Sequence, residues 1–566
     1  MPARLVEQGI DPMARLGRRR LPYAALALAS LLACAACGHA KDSAPTAPSA
    51  AASASASASV AAPAGSAEAS PSEEPPGGLP TVGTAVAVVS LEGVATLPPP
   101  IAEGKPRVAA IAWTVPILAK PDKNASRIGA LRAGAVVEAT DEAAGTAGCP
   151  KGWRKLVPAG YVCIDDENAT LQLDHPVARA ADRRPDFAEK LPYMYGTCTR
   201  GGPVYSRIPS EDDLKKYEPG LKKHLEKWRN DDESGASYGL EIWLRYTKHQ
   251  VPSALDALAQ RITDDDIPAF LRDGAAAPAI SGVVRDVDGP KVGVVERRQG
   301  RSFISSFLYE GRRYNVTPDL TVAPADRFRP IRGSSFHGWQ VGKEINFPFA
   351  LVRMQDAHKW QWNGDKEQMV DAGPLEWRSA VELTDKKRFY KNVLHYETKE
   401  GFWVDDRHAG RVDPAKKWPK WAKNGEKWLD INLTKQVLVA YEGTTAVYAT
   451  LVSSGEAGLE DPETSTATER GIFRIHTKHV AATMDSRVVG EEFELRDVPY
   501  VQYFKEGYAL HGAYWHDKFG QPKSHGCVNL APEDARRLFF WTEPQVPSGW
   551  HMANKKLTGT VVFVHP

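Results

Sequence analysis

Short runs of apolar and β-branched residues, separated by turn residues, dominate the chain from Val108 to Asp166. These runs occupy 109–118, 128–131, 135–139, 153–157 and 160–164. Short strands broken at regular intervals by Gly, Pro, Asn or Asp are typical of a small all-β domain. The pattern therefore predicts a small β-barrel within residues 81–175.

A mixed pattern follows over residues 176–425. Ser210 and Asp213 have the spacing of a helix N-terminal capping box, and apolar residues recur at helical spacing after them. The helical positions are Leu221, Leu225 and Trp228, and then Leu255, Leu258 and Ile262. Strand-like runs come next, at 281–284, 291–295, 303–307 and 314–316. We predict a mixed α/β middle region.

The last part of the chain, 426–566, is again rich in β-type runs. One helix is expected at 532–540, because Pro532, Glu533 and Asp534 suit the first turn of a helix. The predicted fold class is thus mainly β with some α, in a chain of several domains.

The N-terminus has the pattern of a secretory signal. Arg18, Arg19 and Arg20 precede an apolar run over 21–33, which is too short to cross a bilayer. The run ends Leu31-Leu32-Ala33-Cys34, which resembles the recognition site of the bacterial lipoprotein signal peptidase. The resemblance implies a signal peptide over 1–33 and lipidation of Cys34. Cys37 is a second candidate, and an ordinary cleaved signal without lipid is the alternative.

Residues 34–80 consist mostly of Ala, Ser and Pro. Such a segment buries too little apolar surface to offset its conformational entropy, so we predict a disordered tether. The net charge of the whole chain is +1. This balance argues against nucleic acid as the main partner.

Three cysteines, Cys149, Cys163 and Cys198, lie in or just after the predicted barrel. In an oxidising compartment we expect one disulfide among them. A Cys149–Cys163 bridge would close a short loop, worth about 3 kcal/mol. A zinc site is the rival interpretation, but the three cysteines lack a CxxC pair. No metal or other cofactor is predicted.

Near the C-terminus the chain contains Ser524-His525-Gly526-Cys527-Val528-Asn529, with His511 a short way upstream. A thiol is a nucleophile only as the thiolate, and a neighbouring imidazole commonly lowers the thiol pKa. Cys527 has no other cysteine in its own region with which to form a disulfide. The pattern predicts a cysteine nucleophile.

Several motifs around Cys527 together resemble the L,D-transpeptidase (YkuD-type) catalytic domain of bacterial cell-wall enzymes. They are Ser454-Gly455, Gly471-Ile472-Phe473-Arg474-Ile475, His511-Gly512 and Ser524-His525-Gly526-Cys527. The resemblance covers about 426–566. Two features depart from the common family pattern: Thr466-Ala467-Thr468-Glu469-Arg470 before the glycine, and Asn529 where many members have arginine.

The resemblance implies that Cys527 attacks a peptidoglycan stem tetrapeptide, releases D-alanine and passes the acyl group to an amine. His511 would be the general base, and the backbone N–H groups of Gly526 and Cys527 would stabilise the oxyanion. Ser524, His525, Asn529 and Tyr503 would shape the substrate site. The acceptor stays open: another stem peptide, a protein or water. A lipid anchor would place the enzyme in the periplasm of a Gram-negative bacterium, at the outer membrane.

Two weaker resemblances concern the other domains. The segments Gly152-Trp153-Arg154 and Gly160-Tyr161-Val162 resemble a bacterial Src-homology-3-like domain, which would be a wall-binding or a purely structural barrel. The segment Gly401-Phe402-Trp403-Val404-Asp405 resembles a strand of a second small barrel.

Three alternatives compete for the C-terminal motif. A papain-like endopeptidase would place its cysteine before its histidine, whereas His511 precedes Cys527. A metal site from His511, His516, His525 and Cys527 has enough ligands, but its spacing fits no standard zinc pattern. A catalytically inert wall-binding lipoprotein is the third alternative, and the presence of both His511 and Cys527 argues against it.

Overall fold

The computed structural model describes residues 104–182, 185–230, 267–285, 287–486, 493–555 and 558–566. All of them belong to one compact unit, Thr81–Pro566. The predicted signal peptide, the lipidated Cys34 or Cys37, the tether and the helix at 255–262 lie outside the described residues. Within the described ranges, no helix has the length and apolar character needed to cross a membrane.

The N-terminal part forms short strands around its own apolar core. Val108, Ile117 and Val162 are fully buried there. Cys149 and Cys163 form a disulfide with their Cα atoms 5.6 Å apart, and Cys198 is a buried free thiol. The strands are β1 (Arg107–Ala110), β2 (Val115–Leu118), β3 (Arg127–Leu131), β4 (Val136–Glu138), β5 (Trp153–Lys155), β6 (Tyr161–Cys163) and β7 (Ala169–Thr170).

The middle region is mixed, as predicted. Ser210 and Asp213 form the capping box that begins α2. The helices are α1 (Pro176–Ala180), α2 (Glu211–Tyr217) and α3 (Leu221–Arg229), with 3-10 turns at Ala269–Gly274 and Ala325–Arg327. The strands are β8 (Met194–Cys198), β9 (Gly202–Tyr205), β10 (Lys291–Val295), β11 (Gly300–Phe303), β12 (Ser305–Tyr309), β13 (Arg312–Val316), β14 (Val322–Pro324), β15 (Phe328–Ile331) and β16 (Trp339–Gln340).

The prediction of a strand at 281–284 is wrong. Ser281 forms a single bridge to Ala112, and Val284 is 97% exposed. Without a neighbouring strand on which to pack, an apolar run is not enough to form a strand.

A seven-stranded sheet lies between β16 and the C-terminal domain, with the strand order β19-β18-β22-β21-β20-β17-β23. Its strands are β17 (Phe349–Val352), β18 (His358–Asn363), β19 (Gln368–Pro374), β20 (Ala380–Tyr390), β21 (Val393–Thr398), β22 (Trp403–Asp405) and β23 (Ala409–Val412), followed by α4 (Lys420–Lys423). The segment that resembles a second barrel's strand contributes β22. Phe402 and Val404 pack in the core of this sheet.

The C-terminal part contains two sheets and one helix. Its elements are β24 (Lys427–Asn432), β25 (Val437–Glu442), β26 (Thr445–Leu451), β27 (Gly471–Arg474), β28 (Thr477–Ser486), β29 (Phe493–Lys505), β30 (Tyr508–Gly512), β31 (Val528–Leu530), α5 (Pro532–Trp541), β32 (Met552–Asn554) and β33 (Val561–His565). The predicted helix at 532–540 is confirmed. The prediction of a mainly β fold is also confirmed.

One sheet of twelve strands joins all three parts of the chain. It has the order β15-β8-β11-β29-β28-β32-β3-β2-β6-β5, with β30 on β29 and β31 on β30. Strand β3 of the N-terminal part pairs with β32, and β11 of the middle region pairs with β29. Because backbone hydrogen bonds cross both boundaries, the N-terminal and middle parts extend the sheet that carries the predicted nucleophile.

Candidate active site

Two short parallel strands bring Cys527 and His511 together. His511 lies on β30 directly opposite Asn529 of β31, and Cys527 immediately precedes β31. Side chains two residues apart in a strand share a face, so Cys527 lies on the same face as Asn529 and His511. A strand spacing of about 4.8 Å and a rise of about 3.3 Å per residue put the two Cα atoms about 8 Å apart. The two side chains thus lie on one face of neighbouring strands.

The thiol of Cys527 is half-buried. It packs against the apolar cluster that contains Val501, Ala509 and Tyr514, and its Sγ lies 3.7 Å from the carbonyl oxygen of Gly507. Burial raises the pKa of the thiol to about 11, and the backbone N–H of Ala509 opposes this in part. The thiol pKa is therefore raised, and not lowered as the sequence pattern suggested. The desolvated sulfur lacks the neighbouring positive charge that would stabilise a thiolate.

His511 is 2% exposed. Burial lowers the pKa of its imidazole to about 3, although a hydrogen bond to the backbone of Gly512 raises it in part. Its Nδ1 has no hydrogen-bond partner among the described residues, and the ring of Trp515 lies 5.7 Å from its own. The backbone of Gly512 and the ring of Trp515 are thus the orienting groups that the sequence did not identify.

These two pKa shifts define the resting state of the pair. At neutral pH the thiol is protonated and the imidazole is neutral, so the site holds a neutral pair and not a thiolate–imidazolium ion pair. A neutral imidazole with a free nitrogen can accept a proton. The arrangement suits attack by sulfur with simultaneous loss of its proton to His511.

The loop before Cys527 is held by Ser524, which is buried. The Ser524 hydroxyl donates to the carbonyl of Cys527 and accepts the N–H of Gly526 at 3.1 Å. The Gly526 N–H therefore already has an acceptor, whereas the resemblance implies that it donates to the oxyanion. Among the described residues we find no acceptor for the N–H of Cys527, which leaves it available to a substrate oxygen.

Gly526 has a backbone conformation that other residues rarely adopt, with φ at +119°. A Cβ atom at this position would lie 3.0 Å from the ring of Tyr508. Both constraints require glycine between His525 and Cys527. The ring of Tyr508 thus packs against the loop that carries the nucleophile. No sequence motif indicated this contact.

A second segment anchors the same loop. The N–H groups of Lys523 and Ser524 donate to the carbonyl of Ser454 at 2.8 and 3.0 Å. Ser454 is fixed in turn by Gln436, whose Oε1 accepts the Ser454 N–H at 2.8 Å and whose Nε2 donates to the Ser454 hydroxyl at 2.6 Å. Gln436 carries no recognisable sequence signal, because its partner is 18 residues away, beyond strands β25 and β26.

Asn529 is buried and connects β31 to His516 and Ser453. Its Nδ2 lies 2.8 Å from Nε2 of His516, and its backbone pairs with Ser453. Burial lowers the pKa of His516 to about 4, so this ring is neutral. His516 belongs to the site as a partner of Asn529. Within the described residues, no group of His, Cys, Asp or Glu side chains is placed to hold a metal ion.

Tyr503 and His525 both lie near the nucleophile. Burial raises the pKa of Tyr503, and the sulfur of Cys527 adds to the shift. His525 is exposed, and its ring contacts that of Phe493 with the centroids 5.4 Å apart. The structure thus gathers Tyr503, His511, the 524–527 loop and Asn529 in one place. Cys149, Cys163 and Cys198 lie in other parts of the fold.

Known proteins resemble this part of the chain. Residues 426–564 match the family model of the YkuD L,D-transpeptidase catalytic domain. No curated protein matches the chain. Solved structures that resemble it include an L,D-transpeptidase from Enterococcus faecium, 23% identical, over 25% of this chain and 50% of that chain, with a TM-score of 0.19.

Two further structures have similar scores. An L,D-transpeptidase from Xylanimonas cellulosilytica is 25% identical over 27% of this chain and 65% of that chain, with a TM-score of 0.19. One from Mycobacterium smegmatis is 15% identical over 42% of this chain and 100% of that chain, with a TM-score of 0.20. This chain spans half the length of the E. faecium structure that it matches. The family match places an L,D-transpeptidase (YkuD-type) catalytic domain at the C-terminus of the chain.

Proposed function

We propose that this protein is a cysteine-dependent peptidoglycan L,D-transpeptidase in which Cys527 forms a thioester with a stem tetrapeptide. The observation that carries the proposal is the neutral His511, which lies on the same face as Cys527 on the adjacent strand and has a free Nδ1. A nucleophile and a proton acceptor in this relation are the parts that acyl transfer requires.

In the first half-reaction the sulfur of Cys527 attacks the carbonyl that precedes the terminal D-alanine. The thiol proton moves to Nδ1 of His511, and the N–H of Cys527 donates to the oxyanion. The C–N bond then breaks, the departing amine of D-alanine takes the proton from His511, and a thioester remains.

In the second half-reaction an amine attacks the thioester. Its proton passes to His511 and then to the departing sulfur, which regenerates the thiol. Another stem peptide gives a 3→3 cross-link, and a protein amine gives attachment to the wall. Water as acceptor would make the enzyme an L,D-carboxypeptidase.

The N-terminal pattern supports a periplasmic location. Lipidation at Cys34 would anchor the enzyme in the outer membrane of a Gram-negative bacterium, and a flexible tether over 34–80 would let it reach peptidoglycan. Cys34→Ala should then yield soluble periplasmic protein, and retention of the lipid would direct attention to Cys37.

The test is incubation with purified muropeptides and mass analysis of the products. We expect D-alanine release, and a cross-linked or shortened product identifies the acceptor. Cys527→Ala protein is the control. If this variant releases D-alanine at the wild-type rate, the proposal is wrong.

A further inference from the structure

Residues 515–517, called the bridging segment below, contact both strands of the candidate active site. The ring of Trp515 lies 5.7 Å from that of His511 on β30. Nε2 of His516 lies 2.8 Å from Nδ2 of Asn529 on β31. Because His511 and Asn529 are directly opposite each other in the ladder, two neighbouring residues of one segment contact both members of this strand pair.

The third residue of the bridging segment is joined to a different part of the chain. Asp517 forms an ion pair at 2.7 Å with Arg378, which precedes β20 of the seven-stranded sheet. The same guanidinium donates to the backbone carbonyl of Asp517 and packs over the ring of Trp377 at 3.6 Å. The Arg378 side chain is only 10% exposed, so this partner of the ion pair is largely shielded from solvent. The seven-stranded sheet thus holds one end of the bridging segment.

The hydrogen bonds of His516 define which ring nitrogen carries its hydrogen. Burial lowers the pKa of His516 to about 4, so at neutral pH the ring is neutral and has one N–H group. The backbone N–H of Lys518 donates to Nδ1 at 3.2 Å, which requires Nδ1 to be the nitrogen without a hydrogen. The hydrogen therefore lies on Nε2, which faces Asn529 as a donor.

This assignment also fixes the orientation of the Asn529 amide. Two N–H donors cannot form a hydrogen bond with each other, whereas the oxygen and nitrogen of an amide can exchange places with little change of shape. The amide must therefore present Oδ1 to Nε2 of His516. The exchange gives Oδ1, which otherwise has no partner among the described residues, a donor at 2.8 Å, and the amide nitrogen takes the position without a partner.

We infer that His516 is a positioning residue for the reaction at Cys527. The inference rests on the proposed function. Asn529 lies two residues after Cys527, its backbone is bridged to Ser453, and the bond from His516 holds its side chain as well. The strand that follows the nucleophile is thereby fixed through both its backbone and a side chain. Through the bridging segment, Arg378 restricts the position that His516 can take.

Two substitutions of His516 separate its two hydrogen bonds. His516→Gln places an amide near the position of Nε2 and can still donate to Asn529. His516→Asn places an amide near the position of Nδ1, which keeps an acceptor for Lys518 but removes the contact with Asn529. His565→Asn is the matched control, because His565 is also half-buried and has one backbone partner and one side-chain partner, Asp430 at 2.9 Å.

His516→Asn should lower kcat for D-alanine release from a tetrapeptide donor at least about tenfold, because a displacement of about 1 Å can cost about 100-fold. KM for the donor should be nearly unchanged, since His516 acts on the position of the nucleophile and not on binding. His516→Gln should keep most of the wild-type kcat. His565→Asn should show a similar loss in urea denaturation to that of His516→Asn but keep the wild-type kcat.

Arg378→Met tests the connection to the seven-stranded sheet. The substitution keeps most of the side-chain length but removes the ion pair with Asp517, so kcat should fall less than in His516→Asn. The double variant should be no slower than His516→Asn alone, because the effects of residues in one network are not additive. Losses that multiply in the double variant would overturn the role assigned to Arg378.

The outcomes separate this inference from the function on which it rests. If His516→Asn keeps the wild-type kcat, or if His516→Gln or His565→Asn is equally slow, His516 is not a positioning residue. Acylation of Cys527 in the wild type would then leave the proposed function intact. If the donor never acylates Cys527 in the wild type, the proposed function and this inference are both wrong.

Discussion

The hydroxyl of Ser524 donates to the backbone carbonyl of Cys527 and so closes the loop that presents the nucleophile. The same hydroxyl accepts the N–H of Gly526 at 3.1 Å. One buried oxygen therefore fixes the backbone on both sides of the Gly526–Cys527 peptide bond. Removal of the hydroxyl leaves the Gly526 N–H and the Cys527 carbonyl without their hydrogen-bond partner.

We predict that Ser524→Ala lowers both stability and turnover. The loss of stability should be about 1–3 kcal/mol, the usual cost of leaving buried polar groups unpaired. Ser453→Ala is the matched control, because the buried Ser453 hydroxyl donates to the backbone carbonyl of Lys518 at 2.8 Å and does not contact the 524–527 loop. Chemical denaturation should show similar losses in the free energy of unfolding for the two variants. The rate of D-alanine release should fall much more for Ser524→Ala than for Ser453→Ala. Equal turnover in the two variants would contradict a loop-positioning role.

The reactivity of the free thiol should increase with pH. Burial raises the pKa of Cys527 to about 11, and that of His511 falls to about 3. Since only the thiolate is alkylated, the rate of modification by iodoacetamide should increase about tenfold per pH unit from 7 towards 10. A thiolate–imidazolium pair would instead give a high, constant rate from about pH 5 upward, and that plateau would overturn the neutral-pair assignment.

Buried neutral histidines should make the protein sensitive to mild acid. Burial lowers the pKa of His511 to about 3, and the pKa values of His479 and His516 to about 4. In the unfolded chain these groups bind protons near pH 6.5, so the stability that is present above pH 6.5 is lost as the pH falls. His511 alone would account for about 2 kcal/mol between pH 6.5 and 5.

Urea denaturation across that pH range measures this effect. The midpoint should fall between pH 6.5 and 5, and His511→Gln should flatten the dependence. A wild-type midpoint that is constant over this range would show that the buried imidazoles do not keep the stated pKa values.

Lys478 should stabilise the C-terminal helix. Its buried Nζ donates to the carbonyl of Phe539 and to both the carbonyl and hydroxyl of Thr542, at the end of α5. Burial lowers the pKa of Lys478 to about 7, so its favourable interaction with the helix dipole is present only where the pH is low enough to keep the amine protonated. Lys478→Met keeps the length of the side chain but leaves these acceptors unpaired, so we expect a loss of about 1–3 kcal/mol.

Lys505→Met provides the comparison for Lys478→Met. Lys505 is exposed and pairs with Glu469 at 2.9 Å, and a surface pair of this kind contributes about 0–1 kcal/mol. If both substitutions lower the free energy of unfolding equally, Lys478 does not have the stabilising role described.

The sequence singled out residues of the candidate site more readily than the contacts around them. Cys527 and His511 were identified because their motif is compact. The α5 helix was identified because Pro532 and the acidic residues after it suit a first turn. The contributions of Gln436 and Tyr508 had no local signal, since they depend on contacts with residues 18 positions away along the chain.

The twelve-stranded sheet and the pKa values also depend on contacts that local sequence does not specify. The pairing of β3 with β32 joins residues more than 400 positions apart, and no periodicity within either strand specifies its partner. The direction of the Cys527 pKa shift depends on desolvation, which only the packed structure defines. Sequence spacing alone suggested the opposite direction.

The most direct test of the central claim is intact mass analysis of the protein after mixing with a stem tetrapeptide. The account predicts that wild-type protein gains the mass of the acyl tripeptide at Cys527 and releases one D-alanine, and that Cys527→Ala gains nothing. His511→Ala should acylate about 10²–10⁴-fold more slowly, the usual contribution of a general base. A carbapenem should label the same sulfur, because its strained carbonyl can react with the thiol as the donor amide does. D-alanine release by Cys527→Ala at the wild-type rate, or an adduct on any other residue, would contradict the account.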